Sequence, residues 1–285
     1  MSSEVKVSVC GLRSESQIMS GWLGDIKRPV VTIICTAYNH ELYIEGAIVG
    51  FLMQETNFPF EIIIHDDASA DNTAVIIGEY AKKYPNIIKP ILQSENQFSR
   101  LGMQMVIDLC NSCSGDYVAI CEGDDYWISS NKLQKQYDLL EADESLSICI
   151  HNALRKNLYT GEENKFNDKN IPKRLSSVDV VGRAWFSPTA SFFFRKTNIP
   201  IIPPGINGDL FILFECSKIG AVGYLDELWS VYRFGTEGSL SNSSNQSMLY
   251  RKKIRFLLYA ARRKVSVSLI AFYGILKSLI AMLVK

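Results

Sequence analysis

Four apolar runs, each followed by residues at helical spacing or by turn formers, organise the first half of the chain. Val30-Val31-Thr32-Ile33-Ile34-Cys35 is rich in β-branched residues, as in strands buried on both faces of a parallel sheet. Residues 41–53 then place Leu42, Ile44, Ala47, Ile48, Phe51 and Leu52 at helical spacing. Phe60–Ile64 predicts a second strand, ending at His65-Asp66-Asp67. Ser69 and Asp71 are candidate caps for a helix from about Asn72 through Tyr80, with Pro85 closing it. A third strand at Ile87–Leu92, a helix over 102–112 and a fourth strand at Tyr117–Cys121 follow. Alternating strands and helices predict an α/β domain with a mostly parallel central sheet. Upstream, Val5, Val7 and Val9 alternate as a short edge strand does.

Beyond Trp127 the pattern weakens. Lys132–Glu141 reads as a helix with Leu133, Tyr137 and Leu140 on one face. Residues 155–174 are polar and predict a surface loop. Apolar clusters return at Ala184-Trp185-Phe186 and Ser191–Phe194. Gly208-Asp209 opens a helical stretch, Leu210–Cys216, and Tyr224-Leu225 predicts one more strand. The Gly/Ser/Asn-rich run 235–247 has the composition of a mobile loop.

Chemistry gathers at the strand ends, where open α/β sheets bind ligands. The first strand ends in Thr36-Ala37-Tyr38-Asn39, the second in Asp66-Asp67 and the fourth in Glu122-Gly123-Asp124-Asp125-Tyr126-Trp127. Adjacent carboxylates at a strand end repel one another and lose hydration unless a cation joins them. A divalent ion on so few carboxylates completes its shell with water and substrate phosphate. The pattern therefore suits a phosphate-bearing ligand held through a metal. Neither G-x-G-x-x-G nor a P-loop lysine motif is present, which counts against a dinucleotide dehydrogenase or a P-loop ATPase.

The totals exclude other classes. Thirty basic and thirty acidic residues cancel, so charge gives no argument for nucleic acid. Seven irregularly spaced cysteines do not form a disulfide framework and suit a reducing, cytoplasmic compartment. Cys110 and Cys113 make one C-x-x-C without the second pair that a zinc ribbon needs. His40, His65 and His151 do not lie at helical ligand spacing. The N-terminus lacks the basic-then-apolar pattern of a signal peptide.

Taken in order and spacing, Val31–Asn39 with Glu41, Asp66–Ser69 with Asp71-Asn72-Thr73, and Glu122–Trp127 with Lys132-Leu133-Gln134 resemble the inverting family 2 glycosyltransferases of GT-A fold. The resemblance covers roughly residues 30–240. It implies that Thr36, Ala37, Tyr38 and Asn39 line the nucleobase and ribose pocket and that Asp67 accepts a hydrogen bond from the base. It implies Asp125 as the ligand of Mn2+ or Mg2+, with Asp124 facing ribose and sugar. Arg100 is a looser match for a phosphate or sugar contact. Asp209 matches the carboxylate base, against the plain alternative that it only caps its helix. The family often carries Tyr-Arg-x-His in its last loop; here Tyr232-Arg233-Phe234-Gly235 has no histidine, which leaves Asp125 with most of the metal and Arg233 as a phosphate contact.

These readings divide the chain into an N-terminal extension (1–28), a transferase domain (29–247) and a basic, apolar C-terminal helical segment (248–285). Within the domain, 29–128 would be the donor half and 129–247 the acceptor half. The expected activity is transfer of a sugar, from a UDP-sugar by resemblance, to a saccharide or lipid-linked saccharide hydroxyl in bacterial surface polysaccharide assembly. A non-catalytic nucleotide-sugar-binding protein and a nucleotidyltransferase are the rivals. Residues 251–284 combine a basic cluster with an apolar run interrupted by Lys277 and serines. That suits a helix lying in the membrane interface at the cytoplasmic face better than a span; packing on the enzyme or a partner is the alternative.

Overall fold

The computed structural model describes residues 11–168, 170–201, 208–235 and 246–283. The proposed strand at Val5–Val9 and most of the 235–247 loop lie outside these residues. Strands β1 (Val31–Ala37) and β2 (Phe60–Asp66) are nearly all buried and pair in parallel, with Val31 opposite Phe60 and Ala37 opposite Asp66. β3 (Ile88–Leu92) flanks β2, and β4 (Tyr117–Ile120) flanks β1, both in parallel. The helices between them are α2 (Ile44–Leu52), α3 (Thr73–Lys83), the short α4 (Phe98–Leu101) and α5 (Met103–Ser112). The first half is thus a parallel sheet with acids leaving the carboxyl ends of β2 and β4.

The chain beyond Trp127 extends the same sheet. β6 (Leu146–His151), β9 (Arg174–Leu175), β10 (Phe193–Arg195) and β11 (Ala221–Leu225) complete the order β3-β2-β1-β4-β10-β6-β11-β9. β10 is antiparallel to both β4 and β6, while β11 runs parallel to β6. A second sheet, β5-β12-β7-β8, joins β5 (Tyr126–Trp127), β7 (Leu154–Asn157), β8 (Glu163–Lys165) and β12 (Ser230–Phe234). The loop expected over 155–174 is therefore partly strand. The polar composition concealed it: Arg155 lies 4.0 Å over the Phe234 ring and Lys156 pairs with Glu163 (3.3 Å). β8 is the edge of its sheet and β7 lies next to it, and both are held by ladders and side-chain pairs rather than by an apolar face.

Alternation along each strand fills two cores. Val31, Ile33, Cys35 and Ala37 of β1, with Tyr117 and Ala119 of β4, face one side, covered by α2, α3 and α6 (Lys132–Ala142). Ile34, Val118 and Ile120 face the other, under α5, α7 (Ser177–Arg183) and α8 (Asp209–Ile219). Leu210 through Ser217 of α8 are all buried, because α8 is covered in turn by α9 (Gln246–Arg263). Residues 11–28 pack on the domain: α1 (Glu15–Met19) buries Ile18, Trp22 meets Phe60 edge-on at 5.3 Å, and Arg13 donates to the Gln54 carbonyl (2.8 Å).

Two features fix α2 and α6 behind the acid motif. A Cβ on Gly50 would lie 2.8 Å from the Trp127 carbonyl oxygen and 2.9 Å from its nitrogen, so α2 rests directly on β5. Lys132 is fully buried and pairs with no carboxylate among the described residues. Its ammonium lies 3.8 Å from the Trp127 ring centroid and donates to Gln136 Oε1 (2.7 Å). Burial pushes that ammonium down to about 7, with the indole face offering partial compensation.

Gly50→Ala should therefore lower unfolding free energy by about 1–3 kcal/mol in urea titration, the usual cost of overpacking; an unchanged midpoint would refute the close approach. Lys132 has a folded pKa below its unfolded one, so the folded state disfavours the proton and stability rises with pH. Wild type should gain stability relative to Lys132→Met as pH rises from about 7 to about 10. A gap that stays constant over that window would show that Lys132 is not held as described.

Candidate active site at the carboxyl edge of the sheet

The loops after β1 and β2 are tied to each other. Asn39 takes φ +55°, a left-handed conformation that asparagine tolerates well. Its N–H donates to Ser69 Oγ (2.9 Å) and its side-chain oxygen accepts from the Ala70 N–H (2.8 Å). His40 N–H donates to Thr73 Oγ1 (2.8 Å) and Glu41 N–H to Asp71 Oδ2 (3.0 Å). Glu41 in turn accepts from Asn72 through both its main-chain and side-chain nitrogens. Asp66 accepts from the Ser69 N–H and hydroxyl, and between them Ala68 is held at φ +63°.

Within this frame Tyr38 is 48% exposed, leaving a ring free to stack on a base. The Thr36 and Ala37 carbonyls accept from Gly123 N–H and Asp67 N–H, both at 2.9 Å, so the nucleotide-side residues also position both acid turns. Asp67, expected to meet the base, uses its two oxygens on the N–H groups of Gln97 (2.6 Å) and Phe98 (3.0 Å). It anchors the start of α4, which carries the exposed Arg100. Arg100 donates to Gln97 Oε1 (2.7 Å).

The acid turn lies beside Tyr38. A Cβ on Gly123 would come within 2.9 Å of Ile44 Cδ1 and 3.0 Å of His40 Nδ1, so glycine lets the turn sit down on α2. Asp125 is buried; its Oδ1 accepts from the Arg233 N–H (2.9 Å), and its Oδ2 has no partner among the described residues. Arg233 also donates from its guanidinium to the Asp124 carbonyl (2.7 Å) while lying 4.2 Å over the Tyr126 ring and 5.2 Å over Tyr43. The arginine expected on phosphate is thus also the clamp between β12 and the acid turn.

Asp209 is the first residue of α8, where its Oδ1 accepts from the Leu210 N–H (2.7 Å). It lies close enough to Glu122 for its charge to act there, and the Thr189 side chain sits beside both carboxylates. Burial pushes Glu122 up to about 8, reinforced by the charges of Asp124 and Asp209. Burial also raises Asp125, with Asp124 and Glu122 adding to the shift, and it raises Asp209 against the hydrogen bonds from Leu210 and Thr189 and the charge of Lys252. His40 is lowered by burial, opposed by Asp124 and Asp71.

The structure therefore brings Glu122, Asp124, Asp125 and Asp209 together, with Tyr38 and Asn39 beside them. Glu122, Thr189 and His40 were not selected from sequence as site residues. Glu122 stood in the acid motif itself, but nothing local signals that Thr189 joins it to Asp209. Oxygen donors, raised carboxyl pKa values and the orphaned Asp125 Oδ2 fit a hard divalent cation. No three His, Cys, Asp or Glu side chains among the described residues converge to hold an ion alone. Ligand phosphate must therefore complete any such shell.

Comparison with known proteins agrees with this geometry. The family model Glycosyl transferase family 2 matches residues 32–199. An uncharacterized protein of Mycobacterium tuberculosis is 32% identical over 209 residues, covering 73% of this chain and 60% of the relative. The chain thus spans less than two thirds of that relative's length. A putative teichuronic acid biosynthesis glycosyltransferase of Bacillus subtilis is 30% identical over 122 residues, 43% of this chain and 44% of the relative. Among solved structures, a mannosyltransferase from Pyrobaculum calidifontis in complex with GDP-Man and Mn2+ has a TM-score of 0.62 at 14% identity, covering 90% of this chain and 75% of that one. Staphylococcus aureus TarS 1–349 in complex with UDP-GlcNAc gives 0.58 at 19% identity, covering 85% and 70%. The architecture is the GT-A fold, and the chain belongs to glycosyl transferase family 2.

Proposed function

We propose that the chain transfers a sugar from a nucleoside diphosphate sugar, a UDP-sugar by preference, to a hydroxyl of a saccharide or lipid-linked saccharide with inversion at the anomeric carbon. The observation that carries this reading is the crowding of Glu122, Asp124 and Asp125 at one strand edge, with the Asp209 carboxylate at the head of α8 close enough for its charge to act on Glu122. Binding of GDP-Man and UDP-GlcNAc by neighbours of the same fold supports a nucleotide-sugar donor. The teichuronic acid relative supports a role in bacterial surface polysaccharide assembly.

In this reading Tyr38 stacks on the base, with Thr36, Ala37 and Asn39 around base and ribose. Asp67 fixes the 97–101 segment, from which Arg100 reaches the diphosphate or the sugar, and uses on the base whatever acceptor capacity its two main-chain contacts leave. The Asp125 oxygen without a partner among the described residues would hold Mn2+ or Mg2+, which when bound supplies positive charge to the departing diphosphate, while Asp124 faces ribose and sugar. Arg233 holds the acid turn and adds a cation beside it. The ionised Asp209 takes the acceptor hydroxyl proton as that oxygen bonds to the anomeric carbon and the bond to the diphosphate oxygen breaks. Thr189 lies beside both carboxylates, and Glu122, pushed up to about 8, is mostly protonated at neutral pH, which spares Asp209 a second negative charge beside it.

A non-catalytic binding protein would retain donor affinity and give no transfer; a nucleotidyltransferase would release pyrophosphate from NTP and sugar phosphate. Asp209→Asn should reduce transfer by about 100-fold or more with donor affinity nearly unchanged, the split expected of a general base. Transfer at the wild-type rate by this variant would remove Asp209 from the mechanism. Asp125→Asn keeps an oxygen for the Arg233 N–H and removes the anionic one. It should abolish the extra thermal stabilisation that Mn2+ gives in the presence of UDP. Full retention of that increment in both Asp125→Asn and Asp124→Asn would place the cation elsewhere.

A further inference from the structure

The last helix, α10 (Ser268–Leu283), shows its more apolar face to the outside. Inward lie Ala271, Gly274 and Ser278, small residues that let α10 close on α9; a Cβ on Gly274 would come within 2.9 Å of Leu257 Cδ1. The Ser278 hydroxyl is consumed within the helix, donating to the Gly274 carbonyl (2.8 Å). Outward lie Leu269 (86% exposed), Phe272 (68%), Tyr273 (59%), Leu276 (47%) and Leu279 (45%). Steps of three and four residues place these side chains in one continuous stripe. An exposed stripe of this kind marks an interaction surface rather than scattered surface residues.

Charge identifies the occupant. Residues 246–285 carry nine of the chain's thirty basic residues and none of its thirty acidic ones. Arg251, Arg255, Arg262 and Arg263 are exposed, and Lys277 leans its ammonium to 4.5 Å from the Tyr273 ring at the border of the stripe. A second copy of the chain would bring one all-basic surface against another, which like-charge repulsion opposes. An apolar stripe on a segment whose charged side chains are all basic matches an anionic bilayer, acyl chains against the stripe and head groups against the cations. At 16 residues α10 is about 24 Å long, short of the hydrocarbon core, and Lys277 interrupts it. No helix among the described residues is long and apolar enough to cross a membrane.

We propose that the outward face of α10, Leu269, Phe272, Tyr273, Leu276 and Leu279, lies in the plane of an anionic lipid interface. The hairpin that carries it is fixed to the site. Phe256 of α9 meets Phe211 and Phe214 of α8 edge-on at 5.3 and 5.8 Å, and the Tyr259 hydroxyl donates to Glu215 Oε1 (2.9 Å). Since Asp209 heads α8, docking on lipid sets the orientation of the acceptor side toward the bilayer. The proposal gives the peripheral location above its contact surface, and vesicle binding is read without donor, acceptor or activity.

The test is flotation of the full chain with phosphatidylcholine vesicles containing about 30% phosphatidylglycerol, beside vesicles of phosphatidylcholine alone. Wild type should float with the anionic vesicles, weakly with the neutral ones, and less in about 0.5 M salt. Phe272→Ser with Leu276→Ser should weaken flotation by about tenfold or more, since two exposed anchors are lost. Both sites are on the surface, so melting temperature and nucleotide affinity should not move. Failure of wild type to float, equal flotation of the variant, or equal binding to neutral vesicles in high salt would overturn the proposal. So would a change from dimer to monomer in the variant by light scattering, which would assign the stripe to a second copy.

Discussion

Everything at this site follows from crowding carboxylates at the edge of a sheet. Glu122, Asp124 and Asp125 leave β4 in one turn, and Asp209 arrives from α8 to face them. Burial raises Glu122, Asp125 and Asp209 together, and the charges of neighbouring acids add to the shifts of Glu122 and Asp125. The chain offsets only part of this, through Arg233 on the turn and Lys252 near Asp209. A site that concentrates acids and, among the described residues, leaves Asp125 Oδ2 without a partner fits a ligand that brings positive charge with it.

The same constraint explains the surrounding architecture. Arg233 can hold the acid turn only because β12 passes beside β5, and Gly46 leaves room for its guanidinium, a Cβ there falling 3.3 Å from Nη2. Gly123 and Gly50 are close approaches that set the acid turn and the strand after it directly on α2. The paired loops at Asn39–Glu41 and Ser69–Thr73 spend their polar groups on each other, which leaves Tyr38 projecting from a rigid base. Rigidity at the acid edge and an exposed ring beside it suit the proposed nucleotide-sugar chemistry.

Much of this was legible in the sequence, because a strand buried on both faces must be apolar almost throughout. Val31–Cys35, Phe60–Ile64 and Tyr117–Cys121 therefore announce themselves, and the acids after them stand out against those runs. The second sheet was not legible. β7 and β8 bury little, and their ladders are main-chain bonds plus pairs such as Lys156 with Glu163, which leave no periodic apolar signal. β10 is three residues long, and its place between β4 and β6 depends on partners far away in sequence. Thr189 and Glu122 became site residues for the same reason: the fold, not the local pattern, puts them opposite Asp209. The C-terminal segment showed its basic and apolar character in sequence, but which face of α10 is outward is a property of packing alone.

The central claim is that the acid edge binds a nucleoside diphosphate through a divalent cation. Calorimetric titration of UDP and GDP into the protein, with Mn2+ and again with chelator, tests it most directly. The account predicts saturable one-site binding of a nucleoside diphosphate with Mn2+ and a loss of affinity of about tenfold or more without it. Equal affinity with and without the cation, or no binding of either nucleotide, would contradict it.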